Sequence, residues 1–182
     1  MQSVEGSGFI VGKNLVATNA HVIAGIRSPY VTDRTGSHAS KAVWFDPDLD
    51  FAILKTEGLS GKVLKIDTEI KERATPAAVL GYPGGGDFTA DTAVILNQFT
   101  ATGRNIYDQG RTNRDIYEVK AKIIPGNSGG PLIGADGSVV GVIFAESTVY
   151  DRLGYALLTS QITTPISQAK NHSVVNTGSC AE

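Results

Sequence analysis

Ser128 sits in Pro125-Gly126-Asn127-Ser128-Gly129-Gly130-Pro131, with glycine on both sides of the hydroxyl. Two glycines after the serine leave Oγ unobstructed, and a glycine two before it permits a tight turn with N–H groups pointing inward. Acyl transfer needs that combination: an exposed nucleophile and two N–H donors aimed at a developing oxyanion. A glycine-rich hairpin turn without chemistry would have the same composition. A serine alkoxide does not form unaided at neutral pH. It needs an imidazole in reach and a carboxylate to orient that imidazole. His21 follows Thr18-Asn19-Ala20 directly after a predicted strand, and Asp50 directly precedes the apolar run Phe51-Ala52-Ile53-Leu54. Taken singly they read equally well as a strand-end histidine and a loop cap. Taken with Ser128 they supply nucleophile, base and orienter in the chain order His21, Asp50, Ser128.

The elements that would position these residues are short and β-rich. Phe9 to Val11 and Leu15 to Thr18 flank Gly12-Lys13-Asn14 and read as a hairpin. Ala42 to Phe45 ends at Asp46-Pro47, and Phe51 to Leu54 has the pattern of a buried strand. Residues 56–75 are polar and mark a boundary between two halves. Ala77 to Leu80 is the next strand, closed by Gly81 to Gly86. Residues 88–102 alternate loosely, as a long hairpin would, and 103–114 read as a mobile loop. Asp115 to Ile123 alternates well, with Tyr117 ambiguous. Pro131 to Ile133 and Ser138 to Ala145 form a hairpin about Asp136-Gly137, and Gly154 to Leu158 is the last strand. One helix is expected, from Ser160, as its cap, to Lys170, with Pro165 tolerated near its first turn. About a dozen short strands and almost no helix make the chain all-β.

Thr18-Asn19-Ala20-His21-Val22, Asp50-Phe51-Ala52-Ile53-Leu54 and Gly126-Asn127-Ser128-Gly129-Gly130-Pro131 together resemble the three signature blocks of trypsin-like serine proteases, in chymotrypsin-like chain order. They are closest to the bacterial branch that includes the HtrA proteases. Leu80 to Gly86 and the late Cys180 look more like the actinobacterial MarP-type proteases, which are membrane-anchored with a periplasmic protease domain and are associated with acid resistance. The resemblance implies two packed antiparallel, six-stranded-type β-barrels and a short C-terminal helix. Residues 1–65 would form the first barrel, 74–160 the second, and 160–182 the helix and tail. It implies a serine endopeptidase with Ser128 as nucleophile, His21 as general base and then acid, and Asp50 as orienter. Asp46 and Asp48 compete for that last place, but only Asp50 abuts the apolar strand. The backbone N–H groups of Gly126 and Ser128 would form the oxyanion hole. Ile123, Phe144, Ala145 and Glu146 would line the substrate pocket, with Lys122 at its base. With no acidic residue there, an apolar P1 side chain is expected over Lys or Arg.

Two departures from the wider family carry consequences. Asn127 stands where pancreatic-type enzymes hold an aspartate that pairs with a freshly cleaved N-terminus. A buried amide needs no ionic partner, so zymogen activation of that type is not expected. Only a few residues precede Gly6-Ser7-Gly8, where the family has a further strand and MarP-type proteins a cysteine. The chain is therefore expected to be a processed or truncated form, and the disulfide of Cys180 would need a partner from outside it.

Composition bounds the alternatives. The chain has 182 residues, 41% hydrophobic and 19% charged, which is ordinary for one soluble domain built of two halves. Sixteen basic against eighteen acidic residues leave no excess to neutralise a phosphate backbone, so a protein or peptide substrate is expected rather than nucleic acid. The longest apolar run, Val139 to Ala145, is far short of the ~20 residues that span a bilayer. The opening residues from Met1 to Gly6 lack a leader pattern. A membrane anchor is thus expected only in a segment outside this chain, with the protease domain on the extracytoplasmic side. A single cysteine excludes a CxxC zinc site, and His38 and His172 have no spaced metal-binding partners and read as solvated. No cofactor or metal is expected.

Competing functions are few. Gly126 to Gly130 also fits the nucleophile elbow of lipases, with Asp151 and His172 completing that order, but the elbow needs a strand-turn-helix and here Pro131-Leu132-Ile133 follows. Gly81 to Gly86 lacks the Lys-Ser/Thr of a phosphate cradle. The remaining alternative is a protease-fold binding module, inactive or gated.

Overall fold

The computed structural model describes residues 5–181; Met1–Val4, on which the leader reading rests, lie outside the described residues, as does Glu182. Among the described residues, eleven strands form two sheets, accompanied by two short α-helices. The first contains β1 (Phe9–Gly12), β2 (Leu15–Thr18), β3 (Tyr30–Asp33), β4 (Gly36–Asp46) and β5 (Phe51–Thr56), in the order β1-β2-β5-β4-β3. The second contains β6 (Pro76–Gly81), β7 (Thr89–Gly103), β8 (Thr112–Lys120), β9 (Pro131–Gly134), β10 (Val139–Glu146) and β11 (Leu153–Leu158). It closes as β10-β11-β8-β7-β6-β9, with every pairing antiparallel. Among the described residues, then, the second sheet is a six-stranded barrel and the first is a five-stranded sheet.

Local chemistry sets the turns. β1 and β2 reverse at Lys13-Asn14, where Asn14 takes a positive φ of 61°, a conformation that asparagine tolerates better than most residues. The β4–β5 turn is tied by the Asp46 carboxylate, which accepts the N–H groups of Asp48 and Leu49. β5 is buried on both faces. Phe51 and Ile53 point into a core shared with Val139, Val142 and Leu157 of the barrel, whereas Ala52 and Leu54 pack with Val16, Ala20 and Ile23. β10 also feeds two cores. Val139 and Val142 face the shared core, Val140 and Ile143 face the barrel interior, and register shifts between Val139 and Gly141 and between Ile143 and Ala145 accompany the change.

Several expectations are corrected. Residues 88–102 do not fold back on themselves. They form β7, one strand of 15 residues that pairs with β6 on one side and β8 on the other. The weak alternation has a physical source: the distal half of the β7–β8 ribbon leaves the barrel, and its polar side chains pair across strands, as Thr100 with Asp115 and Thr102 with Asn113. The reversal spans 104–111, and Asn105 fastens it by accepting the N–H groups of Tyr107 and Gln109. β3 carried no recognisable signal, yet it pairs with β4 along its whole length.

Two helices form rather than one. α1 (Ala20–Ile23) is a single turn, and α2 (Thr163–Ala169) follows a 3-10 turn at Thr159–Gln161. Ser160 does not cap α2; Ile162 holds that position, and Pro165 lies in the first turn. Tyr117, ambiguous by alternation, is 1% exposed inside the barrel, and its hydroxyl accepts the Lys71 N–H.

Candidate active site

β2 ends at Thr18, and Asn19 turns the chain into α1, so His21 sits on the first turn beyond a strand end. Asp50 occupies the last position before β5, which pairs with β2. The two residues are joined by more than one bond. The His21 N–H donates to Asp50 Oδ1 at 2.9 Å, and His21 Nδ1 lies 2.7 Å from Asp50 Oδ2. Asn19 Nδ2 donates to the Asp50 carbonyl at 2.8 Å. An ionised carboxylate can only accept, so Nδ1 carries the imidazole hydrogen and Nε2 keeps its lone pair. Asp50 is 4% exposed and the His21 side chain 30%, so the imidazole reaches from a buried carboxylate toward solvent. Asp46 and Asp48 are used elsewhere, Asp46 in its own turn and Asp48 with Asn105.

The serine turn is defined by where its backbone groups go. The carbonyl of Pro125 accepts from Gly84, that of Asn127 from Gly130, and that of Ser128 from Ser7. The N–H groups of Asn127 and Gly129 donate to Ile124 and Ile143. Among the described residues, the N–H groups of Gly126 and Ser128 donate to no protein acceptor. Gly126 has φ +99°, and a Cβ there would come within 2.5 Å of the Tyr82 carbonyl, so only glycine fits. Gly129 has φ +82°, and a Cβ there would lie 3.0 Å from the Asn19 N, which seats the serine turn against the segment leading into α1. Among the described residues, Ser128 Oγ makes no hydrogen bond, to His21 or to any other group. Catalytic contacts of this kind are often long before substrate binds.

The expected pocket residues do not all converge. Ile123 is buried with its Cδ1 over Gly154, and a Cβ on Gly154 would also lie 3.0 Å from the Ala145 carbonyl. Ile123, Gly154 and Ala145 therefore share one space. Phe144 instead packs on the core between the sheets, with the Arg114 guanidinium 5.8 Å from its ring centroid. Glu146 and Lys122 are exposed. Asn127 is buried and makes no ion pair among the described residues.

His38 and His172, read as solvated, each have a side-chain neighbour, and His172 remains exposed. His38 Nε2 lies 3.1 Å from Asp33 Oδ1, and His172 packs edge-on against Trp44 with ring centroids 5.5 Å apart. Cys180 is exposed and unpaired, so the chain's one cysteine forms no disulfide here. Its tail is nevertheless tied, through Gly25 to Thr177 and Thr177 to Ile26. No helix among the described residues is long and apolar enough to cross a membrane.

Sequence reasoning assigned no role to Asn19, Ser7 or Gly154. The first two stood inside quoted motifs. Only the fold reveals that Asn19 grips Asp50 and that Ser7 reaches the serine turn.

A family model described as a trypsin-like peptidase domain matches residues 6–142, and the chain belongs to that family. Its relatives include serine protease Rv3671c of Mycobacterium tuberculosis, a MarP-type enzyme, which is 35% identical over 178 residues covering 97% of this chain and 45% of that protein. A crystal structure of Rv3671c protease in its active form matches with a TM-score of 0.94 at 34% identity, covering 97% of this chain and 78% of that one. A protein of Marinomonas named a probable periplasmic serine endoprotease, DegP-like, is 35% identical over 153 residues, 82% of this chain and 30% of that protein. The HtrA-type protease AlgW, solved with a decapeptide, matches with a TM-score of 0.77 at 28% identity, covering 92% of this chain and 52% of that one. The chain spans less than half the length of the curated relatives named here.

Proposed function

We propose that this domain is a serine endopeptidase that cleaves peptide bonds through an acyl-enzyme. The observation that carries the reading is the His21–Asp50 pair, with Nδ1 fixed 2.7 Å from a buried carboxylate and Nε2 left as a base. Ser128 Oγ attacks the scissile carbonyl while Nε2 of His21 takes its proton. The oxyanion is received by the N–H groups of Gly126 and Ser128, and protonated His21 then delivers the proton to the leaving amine. Water repeats the sequence to release the acyl group. The first half, residues 1–65, supplies His21 and Asp50, and the second, residues 74–160, supplies Ser128. Ile123 and Ala145, which meet over Gly154, make the centre of the substrate-binding region, with an apolar P1 side chain seated at Ile123, while the expected Phe144 lies on the core between the sheets and Glu146 stays exposed at its strand end. The peptide-bound AlgW structure supports a peptide substrate. The relative named periplasmic supports an extracytoplasmic location. A role in stress or acid resistance, within an anchored protein, is proposed on the resemblance to MarP-type proteases alone.

A gated protease-fold binding module is the second reading, favoured by the missing contact between Ser128 Oγ and His21. Fluorophosphonate labelling separates the two. One adduct on Ser128, lost in Ser128→Ala, supports the enzyme. Absence of any adduct on folded protein overturns it in favour of the gated module.

A further inference from the structure

We infer that Ser7 is a positioning residue for the oxyanion donors, holding the serine turn from behind through its hydroxyl. This inference rests on the catalytic reading above. Ser7 is 5% exposed and lies between Gly6 and Gly8, far from Ser128 in sequence. Its hydroxyl donates to the Gly126 carbonyl at 2.6 Å and accepts the Tyr82 N–H at 2.9 Å. Its own N–H donates to the Ser128 carbonyl at 2.7 Å, and its carbonyl accepts from Thr18 Oγ1 at 2.8 Å. One residue thus grips the serine turn at two peptides, the turn beginning at Tyr82, and the strand end that leads to His21.

Peptide planarity turns these contacts into a constraint on the donors. In a trans peptide the N–H points opposite the C=O, so fixing a carbonyl fixes the direction of the next residue's N–H. The Pro125 carbonyl, whose partner N–H is that of Gly126, is held by Gly84 N–H at 2.7 Å. Gly84 belongs to the turn that Ser7 Oγ fastens through Tyr82. The Asn127 carbonyl, whose partner is the Ser128 N–H, is held within the turn by Gly130 at 2.9 Å. The peptide between these two is pinned by the Ser7 hydroxyl and the one after them by the Ser7 N–H. All four carbonyls are therefore occupied, and the only N–H groups of the turn without a protein acceptor among the described residues are the two proposed donors. Gly126 at φ +99° is in a region open to glycine, so these hydrogen bonds, and not a steric restriction, set the orientation of its peptides. Without the hydroxyl, the Gly126 carbonyl and the Tyr82 N–H both lose their partner, and the Gly126–Asn127 peptide keeps only the 3.1 Å bond from the Asn127 N–H to Ile124.

The test compares wild type with Ser7→Ala and Ser7→Cys. Cysteine fills the site of the hydroxyl with a somewhat larger group that is a weak hydrogen-bonding partner. Peptide hydrolysis is read as kcat and KM, together with affinity for a peptide boronate whose adduct on Ser128 places an oxygen on the oxyanion donors. Losing one donor outright costs about 10²–10³-fold in kcat. Loosening both is expected to lower kcat about 10- to 100-fold in each variant, with KM within about two-fold and boronate affinity falling in step with kcat/KM. Folding is followed by thermal melting. If Ser7→Ala does not fold, Ser7→Cys decides alone. Wild-type kcat in folded Ser7→Cys would overturn the inference, as would a fall in kcat with boronate affinity unchanged. Wild-type protein that takes no label on Ser128 would instead overturn the catalytic reading, and the role of Ser7 with it.

Discussion

The Asp50 carboxylate holds His21 at two points, the ring through Nδ1 at 2.7 Å and the backbone N–H at 2.9 Å. One acid therefore fixes both the imidazole and the short helix α1 that carries it. Asn19 closes the arrangement by gripping the Asp50 carbonyl from the residue that begins the turn. Asp50 itself has a φ of +60°, a left-handed conformation that costs a non-glycine residue energy and persists only where its surroundings hold it. The pair is held by β2 and β5, which are hydrogen-bonded neighbours, so His21 and Asp50 arrive at one rim of the first sheet although they lie 29 residues apart.

Replacing Asp50 with Asn separates charge from backbone strain, because Asn tolerates the left-handed region as well as Asp does. Asp50→Asn keeps an acceptor for one of the two His21 contacts but cannot hold Nδ1–H and the backbone N–H at once. A fall in kcat of about 10⁴-fold is expected with little change in KM. Steady-state hydrolysis of a peptide substrate, with melting temperature as a control, checks this. Activity near that of wild type would show that Asp50 does not orient the base.

The two positive-φ glycines Gly126 and Gly137 should respond differently to alanine. At Gly126 a Cβ would meet the Tyr82 carbonyl at 2.5 Å and the Gly84 nitrogen at 2.6 Å, both backbone atoms that cannot yield cheaply. Gly126→Ala is expected to abolish fluorophosphonate labelling of Ser128 and to lower the melting temperature. At Gly137, φ is +81° but nothing lies within 4 Å of the added carbon. Gly137→Ala should therefore cost only the left-handed penalty of about 1–2 kcal/mol and leave the labelling rate unchanged. Equal labelling in both variants would show that the shape of the Gly126 turn does not matter to the nucleophile.

The parts of this molecule that could be read from sequence are those where one residue type answers one physical demand. Phe51 to Leu54 is apolar without interruption because β5 is buried on both faces, and it reads as a strand for that reason. The glycines around Ser128 announce a turn that no other residue could make. What escaped reading was written in pairs. β3 is short and half-exposed, with Tyr30 and Thr32 outside any core, and its identity lies in its partner β4. The far half of β7 is a strand because Thr100 and Thr102 find Asp115 and Asn113 across the ribbon. α1 is too short to show a helical period, and Asp50 takes the N–H of its His21. Ser7 carries no signal between its two glycines, since both partners of its hydroxyl lie more than seventy residues away.

Tyr117 gives a test of the link between the polar connector and the barrel. Its hydroxyl, inside the barrel wall, accepts the Lys71 N–H at 2.7 Å, and Lys71 also pairs with Asp67 at 2.6 Å. Tyr117→Phe keeps the ring and deletes only the acceptor, leaving a partly buried N–H without its partner. A loss of about 1–2 kcal/mol in unfolding free energy is expected, with kcat unchanged. Urea denaturation monitored by the fluorescence of Trp44 checks the first, and peptide hydrolysis the second. No loss of stability would mean that water replaces the hydroxyl at no cost.

Asp33 sets a pH dependence that can be isolated by difference. Its carboxylate accepts from Thr35 Oγ1 and N–H, from Ser60 N–H and Oγ, and lies 3.1 Å from His38 Nε2. These bonds, led by the Thr35 hydroxyl and then the Ser60 N–H, hold the carboxyl far below its ordinary value of 3.8. A carboxyl with a depressed pKa in the folded state stabilises the fold fully above its unfolded value, and that contribution is lost as pH falls toward the folded value. Asp33→Asn should therefore melt lower than wild type near pH 5, and the margin should narrow as the pH falls below about 4. Asp67 and Asp136 also have lowered values, but both proteins keep them, so they cancel in the difference. Melting temperatures of the two proteins across this range decide the matter. A margin that does not narrow below about pH 4 would show that Asp33 ties the β3–β4 turn to Ser60 by something other than its charge.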